Sequence, residues 1–172
     1  MQNIVLIGMP GSGKSTLGQI LADHLHYHYI DTDEVIIETY QDNLKGLLEK
    51  HGVEGFIALE GTVISSIHTR FAVISTGGSA VYHPGAMEYL KSSGTIVYLY
   101  HALSDLRRRV GDMTRRGVVC RENGDTLEAL FAERCPLYEQ YADLTVNMTG
   151  KSIMECSEVL LKTVQEKILR QI

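Results

Sequence analysis

The residues Gly8-Met9-Pro10-Gly11-Ser12-Gly13-Lys14-Ser15 fill every fixed position of the pattern G-x-x-x-x-G-K-[ST]. Their chemistry is phosphate binding. Glycines let the backbone turn with its N–H groups pointing inward, and the positive end of a following helix adds to their pull on an anion. Lys14 would reach the β and γ phosphates of a nucleotide, and the Ser15 hydroxyl would ligate a magnesium ion. The competing reading is a Gly-rich turn that happens to hold a lysine. The flanks argue against it: the apolar run Asn3-Ile4-Val5-Leu6-Ile7 precedes the loop, and the helical pattern Thr16-Leu17-Gly18-Gln19-Ile20-Leu21-Ala22 follows it. Gly8, Pro10, Gly11, Ser12, Gly13, Lys14, Ser15 and Thr16 are thus the candidate nucleotide-binding residues.

A phosphate loop alone does not separate kinases, GTPases and ATPases. The chain has no Asn-Lys-x-Asp segment of the kind that reads guanine. The runs Val73-Ile74-Ser75-Thr76 and Val97-Tyr98-Leu99-Tyr100 end without the acidic residue that a hydrolysing ATPase places at a strand end. The second apolar run ends instead in Asp31-Thr32-Asp33. In an extended chain, alternation sends the two carboxylates to one side. One can hold magnesium through its water shell while the other aligns, or takes the proton of, an attacking hydroxyl. Asp33 also precedes Glu34-Val35-Ile36-Ile37, where an aspartate serves as a helix N-cap. Thr76-Gly77-Gly78-Ser79-Ala80 follows the third run, and paired glycines at a strand end allow a close approach to a ligand or form a plain turn.

Strands must position these groups. Apolar, β-branched runs recur at Ile4 to Ile7, Tyr27 to Ile30, Phe71 to Ser75, Thr95 to Tyr98 and Leu144 to Val146. Helical spacing fills the gaps: Leu17 to Leu25, Phe56 to His68, Ala86 to Lys91, Leu103 to Val110, Leu127 to Tyr141 and Ser152 to Leu169. Near-continuous apolar strands alternating with helices predict an α/β fold with a parallel sheet covered on both faces. Ligands of such sheets bind beyond the carboxyl ends of the strands. The charged, Gly-punctuated stretch from Gly111 to Asp125 fits no element and has the length at which loops become functional, so it reads as a lid or as a solvated surface loop.

The chain has 172 residues, 44% hydrophobic and 22% charged, which suits one domain spanning 1–172. A formal net charge of −5 argues against a general nucleic-acid or membrane-surface partner, because such affinity rests on clustered positive charge. The Arg107-Arg108-Arg109 triplet does not reverse this expectation. Cys120, Cys135 and Cys156 are odd in number and lack metal-ligand spacing, which predicts reduced thiols in a cytoplasmic protein. No signal peptide is expected at the N-terminus, which reads as a buried strand. His24, His26 and His28 alternate, but they straddle a helix-to-strand junction and read as surface residues in preference to a metal site.

Phosphate loop, Asp31-x-Asp33, Gly77-Gly78, an arginine-bearing lid and Arg134-Cys135-Pro136-Leu137-Tyr138 together resemble the shikimate kinases, over essentially the whole chain and in order. The resemblance implies a three-layer α/β/α P-loop kinase fold of the nucleoside monophosphate kinase type. It implies a five-stranded parallel sheet in order 2-3-1-4-5, a substrate-binding helical region at about 33–61 and a lid at about 112–125. It implies transfer of the γ-phosphoryl of ATP to a hydroxyl of shikimate with Mg2+, in a monomer. Carried over by position, it makes Asp31 an outer-shell magnesium partner and Asp33 the contact to the substrate hydroxyls and a candidate base. Gly77 and Gly78 line the substrate, Arg109 lies against adenine, Arg116 closes on the phosphates, and Arg134 binds the substrate carboxylate. The catalytic set is then Lys14, Asp33 and Arg116.

Two departures fall on the substrate side. The family's Phe-Arg-x-x-Glu reads Phe56-Ile57-Ala58-Leu59-Glu60, so Ile57 stands where a carboxylate-binding arginine is expected. Ser79 stands where the family has a third glycine, and the lid's Arg-Pro-Leu-Leu reads Arg116-Gly117-Val118-Val119. A lost charge-assisted hydrogen bond costs about 1.5–3 kcal/mol, one to two decades in affinity. Another small hydroxy acid or polyol as acceptor, a nucleoside monophosphate kinase, or a regulatory relative without transfer activity are the alternatives.

Overall fold

In the computed structural model, residues 2–109, 119 and 126–168 are described. Five strands, β1 (Asn3–Ile7), β2 (His28–Asp31), β3 (Ala72–Ser75), β4 (Gly94–Tyr100) and β5 (Leu144–Asn147), form one sheet in the order β2-β3-β1-β4-β5. Every pairing is parallel, with Val5 opposite Ile74 and Ile96 in the centre. This is the order that the family resemblance implies.

Alternation explains why these strands read as unbroken apolar runs. Val5 and Ile7 enter a core with Ile74, Ile96 and Tyr98 on one face, while Ile4 and Leu6 join Val73, Val97 and Leu99 on the other. Helices α1 (Lys14–Leu25) and α7 (Ile153–Lys167) cover the second face, α4 (Pro84–Ser93) and α6 (Leu127–Tyr141) the first. The start of α7 is set by a capping box in which Ser152 and Glu155 satisfy each other's backbone N–H groups.

At the end of β2 the structure corrects the expected roles of Asp31 and Asp33. A helix α2 (Thr32–Tyr40) begins directly after that strand, followed by α3 (Leu44–Ser66), broken at Gly52 with φ 70 and ψ 178. Asp31, not Asp33, caps α2: its Oδ1 accepts from the Asp33 N–H at 3.1 Å. Asp33 therefore lies in the first helical turn, and strand alternation does not describe its direction. α2 and α3 build an apolar cluster of their own around Ile36, Leu47, Phe56, Ile57 and Val63.

A short helix α5 (Leu103–Arg109) follows β4. Apart from Val119, the expected lid at 112–125, with Arg116 and Cys120, lies outside the described residues. Cys135 and Cys156 are buried free thiols, and burial pushes both thiols up from their ordinary value. His24 lies in α1, His26 is its left-handed cap and His28 opens β2, so the three do not share one strand face. Arg107 pairs with Glu128, while Arg108 and Arg109 pair with Asp105. Among the described residues, no helix is long and apolar enough to cross a membrane.

Candidate active site

The loop between β1 and α1 owes its shape to its own backbone and to one side chain. Gly13 caps α1 at φ 86 and ψ 14, a left-handed conformation that a side chain would strain. Lys14 folds back across the loop, its Nζ donating to Gly8 O at 2.8 Å and Met9 O at 3.0 Å. Those carbonyls are thereby turned to the cation, leaving the inward face of the loop to N–H groups. Lys14 is 9% exposed, and burial lowers its pKa to about 8, with Asp33 and Asp31 opposing that shift and Arg134 adding to it.

A cleft of about 300 Å³ opens over this loop at the carboxyl ends of β1, β2 and β3. Pro10, Gly11, Gly13, Lys14, Ser15 and Thr16 form one wall. Asp31, Asp33, Phe56, Thr76, Gly77, Gly78, Ser79 and Arg134 are on the other sides. Gly8 and Ser12 support the loop from behind, buried beneath it.

Asp31 serves three neighbours. One oxygen caps α2, and the other accepts from Ser15 Oγ at 2.7 Å and from Tyr29 Oη at 3.1 Å. Ser15 and Asp31 thus present paired oxygen ligands at the foot of the phosphate loop, the donor chemistry that suits a hard divalent cation. Asp33, freed from capping, faces the cleft. Burial chiefly, with the neighbouring Asp31 charge, pushes its pKa up to about 6 against the pull of Lys14. At neutral pH it remains an anion with enhanced basicity, as a hydroxyl-activating group requires.

Gly77 and Gly78 act by what they lack. A Cβ on Gly77 would stand 2.5 Å from Glu60 Oε1 and 2.6 Å from Asp33 Oδ1, so glycine alone lets two carboxyl groups converge there. The Gly77 N–H donates to Thr32 Oγ1 at 3.0 Å. The Gly78 carbonyl accepts from Tyr138 Oη at 2.7 Å.

Ser79 turns its hydroxyl inward and donates to Glu60 Oε2 at 2.6 Å. Glu60 is 1% exposed, and its Oε1 has no hydrogen-bond partner among the described residues. Burial raises its pKa to about 7, partly offset by the Ser79 hydrogen bond and by Arg134, while Asp33 adds to the rise. A lone carboxylate in the apolar stretch Phe56 to Ile64 was the available sign that Glu60 matters.

Arg134, 1% exposed, is the cation of the far wall. Its Nε donates to Tyr82 Oη at 3.0 Å, its Nη2 donates to the Val119 carbonyl, and the Tyr82 ring lies 5.0 Å from its Cζ. Its remaining nitrogen, Nη1, lies beside Gly78, where a Cβ would come within 2.6 Å of it. Tyr82 carries no spacing signal that could have marked it as this support.

Two expected site residues do not line this cleft. Ile57 does not line the cleft; it is 5% exposed and packs in the apolar cluster with Phe56, Tyr82 and Val119, one layer behind the wall. An isoleucine stays with its apolar neighbours, whereas a longer charged side chain from the same Cα would have to reach around them. Arg109 also lies off the cleft lining, its Nε on Asp105 Oδ2 at 3.2 Å and its Nη2 on the Lys151 carbonyl at 2.8 Å.

Known proteins resemble this chain over nearly its whole length. The shikimate kinase family profile matches residues 10–170. A shikimate kinase of Francisella tularensis subsp. holarctica is 35% identical over 172 residues, covering 98% of each chain. One from Enterococcus faecalis is 32% identical over 168 residues, covering 96% of this chain and all of that one. The structure of Acinetobacter baumannii shikimate kinase in complex with shikimate superposes with a TM-score of 0.86 at 29% identity, covering 98% of this chain and 96% of that one. With a phosphate loop, a basic carboxylate and a buried arginine around one cleft, and with relatives alike from end to end, the chain belongs to the shikimate kinase family of ATP-dependent kinases that act on a hydroxyl group.

Proposed function

We propose that this chain transfers the γ-phosphoryl group of ATP to a hydroxyl of shikimate, as a monomeric, single-domain, cytoplasmic enzyme. The observation that carries the reading is the meeting of Lys14, Asp33 and Arg134 in one cleft. Those three supply a phosphate cation, a hydroxyl base and a carboxylate receptor, the three contacts that a hydroxy-acid kinase needs.

The loop N–H groups and Lys14 hold the β and γ phosphates and meet the charge that spreads over the transferring group. Asp33 accepts the hydroxyl proton and aims that oxygen at phosphorus. Arg134 fixes the acid end, because a guanidinium fork can bind both carboxylate oxygens. Arg116 closes on the phosphates and Arg109 lies against the adenine. Ser15 directly, and Asp31 through water, are the residues that would hold Mg2+, and their oxygen chemistry fits it. When bound, that ion neutralises phosphate charge.

Ile57 replaces the arginine of the family's Phe-Arg-x-x-Glu motif, which leaves Arg134 as the carboxylate's guanidinium among the described residues. This favours a second reading, in which the acceptor is another small hydroxy acid whose acid end is held less tightly. A coupled ADP-release assay over shikimate, quinate, sugars, homoserine and nucleoside monophosphates separates the two. Turnover is expected with shikimate, and nucleotide binding without shikimate turnover would overturn the first reading. In the same assay Ile57→Arg is expected to lower the KM for shikimate roughly tenfold, by adding a charge-assisted bond. The new guanidinium would also stand three residues before Glu60 on α3, within reach of its unpartnered Oε1. An unchanged or higher KM in a folded Ile57→Arg protein would show that this position has no path to the carboxylate.

A further inference from the structure

A buried histidine–aspartate pair lies directly behind the phosphate loop. His101, the residue after β4, is 2% exposed, and Asp105 on α5 is 4% exposed. The His101 Nδ1 is 2.7 Å from Asp105 Oδ2, and its Nε2 is 3.1 Å from the carbonyl oxygen of Ser12. A carbonyl oxygen only accepts, so Nε2 carries a proton. Asp105 also accepts from Arg108 Nη2 at 2.9 Å and from Arg109 Nε at 3.2 Å. Burial works against its charge, but the His101 hydrogen bond, the Arg109 charge and the Arg108 hydrogen bond outweigh this and hold its carboxyl below the usual range. Asp105 thus holds the ring through Nδ1 while the Nε2–H is directed at Ser12.

The consequence lies in the next peptide unit. In a trans peptide the C=O of one residue and the N–H of the next point in opposite directions. Drawing the Ser12 carbonyl back to His101 therefore turns the Gly13 N–H away from His101. Gly13 lines the cleft, and its φ of 86 gives the backbone no support from a side chain.

We propose that His101, held by Asp105, is a positioning residue of the phosphate loop: it fixes the Ser12–Gly13 peptide so that the Gly13 N–H faces the bound phosphates. It does not touch the nucleotide. The same carboxylate holds Arg109, so the tie joins the phosphate loop to α5. The inference rests on the loop holding a polyphosphate and is independent of which hydroxyl is phosphorylated.

Calorimetric titration of the full chain with MgADP and with magnesium pyrophosphate tests it. For His101→Phe we expect both ligands to bind about tenfold or more weakly, the scale of a lost charge-assisted hydrogen bond, with shikimate affinity unchanged. Pyrophosphate has no base, so an effect seen with MgADP alone would place the action at Arg109 and overturn the loop assignment. Asp105→Asn serves as a second, milder variant, because its amide can donate to Nδ1 of a neutral ring and keep the Nε2–H bond to Ser12. It is expected to weaken both ligands less than His101→Phe does. Nitrogen NMR of the parent should show a protonated Nε2 for His101. An unprotonated Nε2, or phosphate affinities within twofold of the parent in both variants, would overturn the proposal, as would equal loss of shikimate and nucleotide binding.

Discussion

Asp33→Asn is expected to lower turnover at least about a hundredfold while MgADP affinity changes less than about threefold, in line with what a general base contributes. The substitution keeps the shape and hydrogen-bonding reach of the side chain and removes its charge and its ability to take a proton. Because Asp33 is not the cap of α2, a role that Asp31 fills at 3.1 Å, the helix is not the reason for the loss. The parent should show the same group in its pH profile. Burial and Asp31 raise the Asp33 pKa to about 6, so the basic form predominates above that pH and kcat should fall about tenfold per unit below it. Stability moves the opposite way. A carboxyl whose folded pKa lies above its unfolded value binds its proton more tightly when folded, so its ionisation works against the fold above about pH 6. Asp33→Asn should therefore melt at a higher temperature than the parent near pH 7.5, a trade of stability against activity. Near-normal turnover in the variant would reduce Asp33 to a bystander.

Arg134→Lys is expected to raise the KM for shikimate by one to two decades and the KM for MgATP by less than about threefold. Lysine keeps the charge but loses the planar fork, and it cannot reproduce the three-way hold on Tyr82, Val119 and the Gly78 side of the cleft. The arginine's position explains the size of the effect. With Ile57 packed behind the wall, no second guanidinium lines the described part of the cleft to share the load. Steady-state kinetics with each substrate varied in turn measures the split. Equal increases in both constants would mean that the variant disturbs the α6 packing in place of a carboxylate contact.

The parts that were legible in the sequence are those whose physics is local. The phosphate loop is eight consecutive residues whose spacing fixes both the turn and the donors, and the loop stands between β1 and α1 as its flanks imply. Core strands could be read because both faces of a parallel sheet are buried, which leaves runs such as Ile4 to Ile7 without polar interruption. α2 escaped the helical-spacing reading because Thr32 to Tyr40 is rich in β-branched residues of lower helix propensity. Its start rests on one aspartate whose second oxygen answers to Ser15.

The site residues divide along the same line. Lys14, Asp33, Gly77, Gly78 and Arg134 follow from residue type, order and resemblance to a family, and all of them line the cleft. What each of them touches follows from contacts that no local period encodes. Ser79 meets Glu60 across 19 residues, Tyr138 meets Gly78 across 60, and His101 meets Ser12 across 89. Sequence order thus specified the phosphate chemistry and the sheet, because both are written in short-range spacing. The inward turn of Ser79, the retreat of Ile57 and the tie behind the loop arose from packing, because burial forces each polar group to find whichever partner the fold brings near.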